Sequence, residues 1–211
     1  MSIGPMLTET QPLILRFSPT LQKMSDQEFF EFCQLNPDWR IEQTSEGDLI
    51  IMPPTDGETG RRNFNIIGLF SNWVEKDGTG IGFDSSTGFI LPNGAKRSPG
   101  LAWVKRARWE ALTAGEREVF PPLCPDFVVE LRSRSDNLAL LQAKMEECLA
   151  NGALLGWLID PTEKKVYVYQ PETQVQTLDN PKTISGDPVL LGFVLTLQQI
   201  WGQGPDPRRQ D

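Results

Sequence analysis

The sequence predicts an α/β domain in which a mixed β-sheet is flanked by helices and accompanied by additional β-hairpins. Residues 125–159 read as a strand, a helix and a second, largely apolar strand, which is the order of a βαβ unit. Residues 80–104 contain several short strand-like segments in quick succession, and helical segments precede them. Because no glycine-rich strand-to-helix loop appears, a doubly wound nucleotide-binding fold is disfavoured.

Helices and hairpins alternate in the first half of the chain. Ser25 is the predicted cap of a helix that ends at Leu35, and Glu28 completes its capping box. Gly78 ends the longest helical segment, in which large apolar residues recur at helical spacing. The predicted elements after the first helix are a hairpin over 40–44 and 48–52, the long helix over 56–77, short strands over 80–84 and 88–91, an Asn-Gly turn at 93–94 and a strand over 101–104.

The second half of the chain contains the predicted βαβ unit. Ser135 or Asp136 is the predicted cap of its helix, and Asn151-Gly152 ends that helix. Lys144 lies at the border of the apolar stripe, where its ammonium can reach over the strand end. The other predicted elements are a short helix over 106–114, strands over 126–132, 154–159, 174–178 and 189–195, and a closing helix over 197–201.

The ends of the chain differ in composition from its centre. The 211 residues are enough for one well-buried domain, which we place at 21–201, after an extended N-terminal segment over 1–20 and before a flexible tail over 202–211. The start lacks the basic and apolar regions of a signal peptide. No apolar stretch approaches the ~20 residues that cross a bilayer, so we expect no membrane association.

The chain has three widely spaced cysteines and no histidine. Reduced thiols indicate a cytoplasmic protein, and the lack of a C-x-x-C pair or any histidine argues against a zinc site. Without histidine, Ser-His-Asp triads, Cys-His nucleophiles and HNH-type nuclease sites are excluded. An enzyme built from this sequence would work through carboxylates, lysine and a hard cation.

The net charge of −8 argues against a general nucleic-acid coat, because affinity for phosphate depends on Lys and Arg. Positive charge is nevertheless grouped beside the motifs described below. These groups could follow phosphates around an acidic site, and solvated charge at element ends explains them equally well. The groups are Arg61-Arg62, Lys96-Arg97, Lys105-Arg106 with Arg108, and Arg132 with Arg134.

The strand at 126–132 carries ionisable residues on one face. The period of two places Asp126, Glu130 and Arg132 on the same side, with Glu130 about 7 Å from Arg132 and about 13 Å from Asp126. A buried carboxylate needs a charge partner or a metal ion. Glu130 is therefore a candidate metal ligand, with a salt bridge to Arg132 or Lys144 as the alternative. Asp126 ranks second as a ligand, because capping or pairing near the strand start is the favoured role for it.

Five motifs occur in an order that resembles one family of bacterial proteins. The motifs are Trp39-Arg40-Ile41-Glu42, Met52-Pro53-Pro54, Leu91-Pro92-Asn93-Gly94, the stretch 98–104 that begins Ser98-Pro99-Gly100, and the segment from Pro125 onward. Together they resemble the Uma-two family of the PD-(D/E)XK nuclease superfamily over residues 25–201. The resemblance implies a restriction-endonuclease-like fold, magnesium or manganese as the cofactor, and DNA as the partner.

The resemblance also implies roles for individual residues. Glu130 would be a catalytic carboxylate and metal ligand, and Lys144 would be the helical lysine that stabilises charge on the phosphate. Glu42 would complete the carboxylate cluster. Arg132 stands at the literal lysine position of the motif, where it could clamp phosphate but would be a poor base. The alternatives are an exposed strand glutamate for Glu42 and a surface lysine for Lys144.

One position departs from the family pattern. Gly100 stands where the family has the aspartate of its Ser-Pro-Asp motif, a principal metal ligand. Magnesium is usually held by one or two carboxylates with water and phosphate, so losing one carboxylate weakens or abolishes binding. The sequence thus predicts either a metal-dependent DNA endonuclease that Gly100 impairs, or a catalytically inactive pseudo-nuclease that binds nucleic acid or protein. We also expect a homodimer, since isologous dimers are the commonest oligomers.

Overall fold

The structure, a computed structural model, describes residues 12–17 and 23–202. Most of the expected N-terminal segment and nearly all of the expected tail lie outside these residues. The described strands are β1 (Leu13–Leu15), β2 (Arg40–Gln43), β3 (Leu49–Met52), β4 (Gly80–Asp84), β5 (Phe89–Ile90), β6 (Lys96–Arg97), β7 (Leu101–Lys105), β8 (Phe127–Leu131), β9 (Leu155–Asp160), β10 (Lys165–Tyr169), β11 (Gln176–Asp179), β12 (Thr183–Ser185) and β13 (Val194–Thr196). The helices are α1 (Asp26–Leu35), α2 (Gly57–Asp77), α3 (Arg106–Glu110), α4 (Ala114–Glu118), α5 (Leu138–Ala150) and α6 (Gln198–Trp201).

A six-stranded mixed sheet forms the centre, in the order β11-β10-β9-β8-β7-β4. Strands β8 and β9 run parallel, and the other neighbours in this sheet are antiparallel. Helix α5 connects the parallel pair, because parallel neighbours require a crossover. The prediction of a mixed sheet flanked by helices, with a βαβ unit at its centre, is confirmed.

The two faces of the central sheet are covered by different elements. Phe127 and Val129 of β8 point into a core shared with α2, α6, β12 and β13. Val128 points to the other face, where α5 packs. Gly156 allows this close packing of α5, because a Cβ at that position would lie 2.5 Å from Met145 Cε. The alternation along β8 therefore directs Glu130 toward α5.

A second, five-stranded sheet lies beside the first, in the order β1-β3-β2-β6-β5. It packs with α1 around the buried side chains of Phe29, Ile41 and Leu49. Ser25 caps α1 with the predicted capping box. Strands β2 and β3 form the predicted hairpin, and β1, which lies in the segment predicted to be extended, pairs with β3.

Several predicted boundaries were wrong. The cap of α5 is Asn137, whose side chain accepts hydrogen bonds from the first turn, and not Ser135 or Asp136. Asp136 instead accepts from the Ser133 N–H at 2.8 Å, so its carboxylate closes the preceding turn. The helix expected over 106–114 ends at Glu110, and Thr113 starts a separate helix, α4, with its own capping box. The strand expected over 189–195 is restricted to β13.

The described part of the chain has no helix with the length and apolar character needed to cross a bilayer.

Candidate active site

A cleft of about 1010 Å³ lies where β2 and β3 face the end of β8 and the first turns of α5. Glu42, Gly100, Glu130 and Lys144 all line it, although 102 residues separate Glu42 from Lys144 in the chain. The structure thus brings together four of the six residues that the sequence analysis singled out.

Lys144 is at the centre of the site. Its Nζ lies 2.6 Å from Glu42 Oε1 and 2.6 Å from Glu130 Oε1, and it donates to the Ser98 carbonyl oxygen at 3.2 Å. Desolvation by burial lowers the pKa of Lys144, but the two carboxylates outweigh it and the pKa is raised overall. The ammonium is therefore charged at neutral pH, and the alternative of an ordinary surface lysine is wrong.

Glu42 is the most heavily bonded acid of the site. It is 2 % exposed, and Oε1 also accepts from the Ser98 N–H at 2.9 Å. Oε2 lies 3.3 Å from Arg97 Nη1, and Oε1 lies 4.0 Å from Arg40 Nη2. Burial raises the pKa of Glu42, but Lys144, Arg97 and Arg40 together lower that pKa to about 2. The alternative of an exposed strand glutamate is wrong.

Glu130 is the second carboxylate at the same ammonium. The residue is 6 % exposed, and its alternative assignment as a salt-bridge partner of Lys144 is what the structure shows. The contact has the distance of an ion pair but not the alignment of a hydrogen bond, because Glu130 Oε1 is buried without a hydrogen-bond partner among the described residues. Glu130 is therefore held less firmly than Glu42.

Gly100 lies directly beside this pair. In the antiparallel register of β7 and β8, Leu101 pairs with Val129, and continuing it by one residue places Gly100 opposite Glu130. Opposed residues project from the same face with Cβ atoms about 5 Å apart. An aspartate at this position would therefore face Glu130, but glycine provides no ligand. A Cβ at Gly100 would lie 3.0 Å from the Val129 carbonyl oxygen, so the backbones approach closely here.

Asp126 and Arg132 do not line the cleft. Asp126 Oδ2 accepts from the Lys105 N–H at 2.8 Å and lies 3.0 Å from Arg108 Nη1, so it ties β7 to α3. Arg132 Nη1 lies 2.6 Å from Oδ2 of the fully buried Asp160. The structure thus gives both residues charge partners outside the site, and their assignments as metal ligand and phosphate clamp receive no support from their positions.

The surroundings of Asp126 lead to a stability prediction. We expect Asp126→Asn to lower the free energy of unfolding by about 2 kcal/mol, because a buried charged acceptor loses part of its pairing. Chemical denaturation at pH 7 measures this. The same substitution, made in a Gly100→Asp background, should leave manganese affinity unchanged in calorimetry, and a large loss there would identify Asp126 as a ligand.

Glu42 is also held by the Ser98 N–H, Arg97 and Arg40, none of which the sequence singles out as a candidate site residue. Arg97 connects Glu42 to Glu147 of α5, with Nε 2.5 Å from Glu147 Oε2. Arg40 donates to the Ser98 carbonyl oxygen. The sequence shows the Lys96-Arg97 cluster but not which of the two residues faces the site. Strand β6 determines this, and its two residues are too few to show an alternating pattern.

The residues present do not fit a divalent cation. Two carboxylates converge, but one ammonium lies 2.6 Å from an oxygen of each, and two arginines already surround Glu42. The described residues contain no group of three His, Cys, Asp or Glu side chains that could hold a metal ion. Asp84, a candidate substitute for the missing ligand, accepts from Ser86 N–H at 3.0 Å and closes a turn. Among the ligands that the family pattern calls for, the missing one is the side chain at Gly100.

The fold and the convergence of Glu130 with Lys144 define a restriction-endonuclease-like protein. The chain belongs to the Uma2 family, described as "Putative restriction endonuclease", whose sequence profile matches residues 26–198. Among solved structures, it is similar to "a putative nuclease belonging to DUF820" from Anabaena variabilis, with 19 % identity and a TM-score of 0.71. That likeness covers 84 % of this chain and 97 % of the other, and at this identity it shows the fold alone. No curated protein matches the chain.

Proposed function

We propose that this protein is a DNA endonuclease of the PD-(D/E)XK type whose metal-dependent phosphodiester hydrolysis is impaired by Gly100. One observation carries the proposal: Glu130, Lys144 and Glu42 converge in one cleft, while the position opposite Glu130 is a glycine. The family match supports the nuclease class, and DNA is the substrate that this class implies.

The charge of the cleft supports impairment. Its lining contains seven acidic and four basic side chains, and Lys144 and Arg97 are already engaged by carboxylates. A DNA phosphate would therefore approach a surface of like charge, which disfavours binding unless cations compensate. Of the outer basic clusters, Arg61 and Arg62 both pair with Glu58, in keeping with solvated surface charge.

Plasmid cleavage tests the proposal. With supercoiled plasmid and Mn²⁺, we expect the wild-type protein to nick no faster than its Glu130→Ala variant. The Gly100→Asp variant should cut the plasmid under the same conditions. Robust wild-type cutting that Glu130→Ala removes would contradict impairment while keeping the nuclease assignment. Folded Gly100→Asp protein that neither cuts DNA nor binds manganese would contradict the nuclease assignment itself.

A second candidate is a catalytically inactive pseudo-nuclease that acts as a nucleic-acid-binding or protein-interaction module, in the cytoplasm and as a homodimer. The closed ion pairs of Lys144 with both carboxylates favour it. Calorimetric titration of the Gly100→Asp variant with Mg²⁺ and Mn²⁺ separates the two: stoichiometric binding supports an impaired enzyme, and no binding by the folded variant at millimolar metal supports the module.

A further inference from the structure

We infer that the Lys144 ammonium is the resident cation of the Glu42 and Glu130 carboxylates, and that removing it converts this buried pair into a divalent-cation site. The wild-type chain then maintains the site without any metal. The inference rests on the proposed function for the nature of the site.

The Lys144 ammonium is surrounded by oxygens of the site. An ammonium has three N–H donors and no acceptor. The Nζ of Lys144 has three oxygen neighbours within 3.2 Å: one oxygen each from Glu42 and Glu130, and the Ser98 carbonyl. Glu42 and the Ser98 carbonyl accept two of its donors, and Glu130 neutralises it at ion-pair distance, so a phosphate would have to displace one of these oxygens.

The distances from the two carboxylates to the Nζ position are close to those of metal ligands. Glu42 Oε1 and Glu130 Oε1 are both 2.6 Å from one point, the Nζ position. Calcium takes oxygen ligands at about 2.3–2.6 Å, and magnesium takes them at about 2.0–2.1 Å. An ion placed at the vacated Nζ position could thus bind both carboxylates with little movement for calcium and with a contraction of about half an ångström for magnesium.

Removal of Lys144 would lower the positive charge around the carboxylate pair and open the Nζ position to ions from the cleft. With Lys144 present, Arg97 and Arg40 bring the cations around the pair to three, which repels a further divalent charge. Without Lys144, Glu130 has no cation partner among the described residues. Lys144 lines the open cleft, so an ion and its waters can reach the position. Alanine at 144 vacates the space and has the highest helix propensity, so α5 should persist.

Thermal unfolding of the full chain tests the inference without DNA. The wild type, Lys144→Ala, and Lys144→Ala with Glu42→Gln are compared in EDTA, in CaCl₂ and in NaCl of equal ionic strength. Lys76→Ala is the matched control, because Lys76 is an exposed helical lysine away from the cleft. We expect Lys144→Ala to melt well below the wild type in EDTA. Calcium at ~100 times its Kd should raise that Tm by about 5 °C or more.

The controls should not respond. Calcium should leave the Tm of the wild type and of Lys76→Ala unchanged, and the double variant should lose the calcium response. A folded Lys144→Ala protein with no calcium response would overturn the inference. If Lys144→Ala does not fold, Lys144→Gln takes its place, since the amide is neutral and can still hydrogen-bond.

One further measurement depends on no Lys144 variant. Calorimetric titration of the wild type with Ca²⁺ and Mn²⁺ should show no saturable binding, and saturable binding that Glu42→Gln removes would overturn the inference. Because these measurements use no nucleic acid, their failure is distinct from a failure of the plasmid assay.

Discussion

Replacing Gly100 with aspartate should create manganese binding and raise plasmid cleavage by about 100-fold or more over the wild type. The added carboxylate would face Glu130 across β7 and β8, at the position where the resemblance to the family implies a ligand. A correctly held metal ion stabilises the transition state of phosphate hydrolysis by several kcal/mol, and each 1.36 kcal/mol is a factor of ten in rate. The added carboxylate would also offset one of the three cations, Lys144, Arg97 and Arg40, that surround the pair.

The close backbone approach at Gly100 determines the controls. A Cβ there lies 3.0 Å from the Val129 carbonyl oxygen, so any side chain must shift β7 or β8 by a few tenths of an ångström. Gly100→Asn has nearly the shape of aspartate without its charge, and Gly100→Ala has the Cβ alone. We expect all three variants to lose similar stability, and only Gly100→Asp to bind Mn²⁺ in calorimetry and cut. Equal cutting by Gly100→Asn would show that charge at this position is not what the site lacks.

The convergence of Glu130 and Lys144 could be predicted because it depends on local order. A strand followed by a helix and a parallel strand places the helix on one face, and the strand's period of two selects the residues on that face. Glu42 was a candidate site residue only because of the family resemblance. Glu42 lies on β2, in the second sheet, and its side chain contacts Lys144 from there. The residue pattern of β2 alone does not indicate such a contact.

Pairing of Asp126 near the strand start is the alternative that the sequence offers, but neither its partner nor the position of Arg132 could be predicted by the same reasoning. Strand β8 ends at Leu131, so the period that placed Arg132 beside Glu130 no longer applies. Their partners, Arg108 and Asp160, come from other elements, and sequence spacing does not reveal ion pairs of that kind. Buried acids need cations, but which cation each acid finds depends on packing.

The tryptophans show the same limit for burial. Trp103 and Trp157 are 1 % and 0 % exposed, as core packing requires, whereas Trp39 is 52 % exposed and lines the cleft. Trp39 precedes β2 in a segment without a regular spacing of apolar residues. The sequence therefore could not predict whether its side chain is buried or exposed. Apolar residue type alone predicts the core where a period supports it and fails where none does.

The second large effect that we expect is the loss of stability on neutralising Glu42. Glu42→Gln leaves Lys144, Arg97 and Arg40 with one carboxylate fewer in a buried setting. Removing one partner of a buried ion pair typically costs about 3–5 kcal/mol. Urea denaturation at pH 7 should show this loss. Glu118→Gln is the matched control, because Glu118 is an exposed glutamate for which we expect a change below about 0.5 kcal/mol.

The pH dependence of unfolding tests the charge of Glu42 separately from its shape. The folded-state pKa of Glu42 is about 2, below its ordinary value of 4.5. A depressed folded-state pKa stabilises the protein above the unfolded-state pKa, and this contribution is lost as the pH falls from about 4.5 toward 2. That shift corresponds to about 3 kcal/mol. The wild type should therefore lose about 3 kcal/mol more than Glu42→Gln over this range, while Glu118→Gln should follow the wild type. Parallel curves for the wild type and Glu42→Gln would show that the pKa of Glu42 is not lowered in the folded protein, and the ion pairs with Lys144 and Arg97 would then not stabilise its charged form.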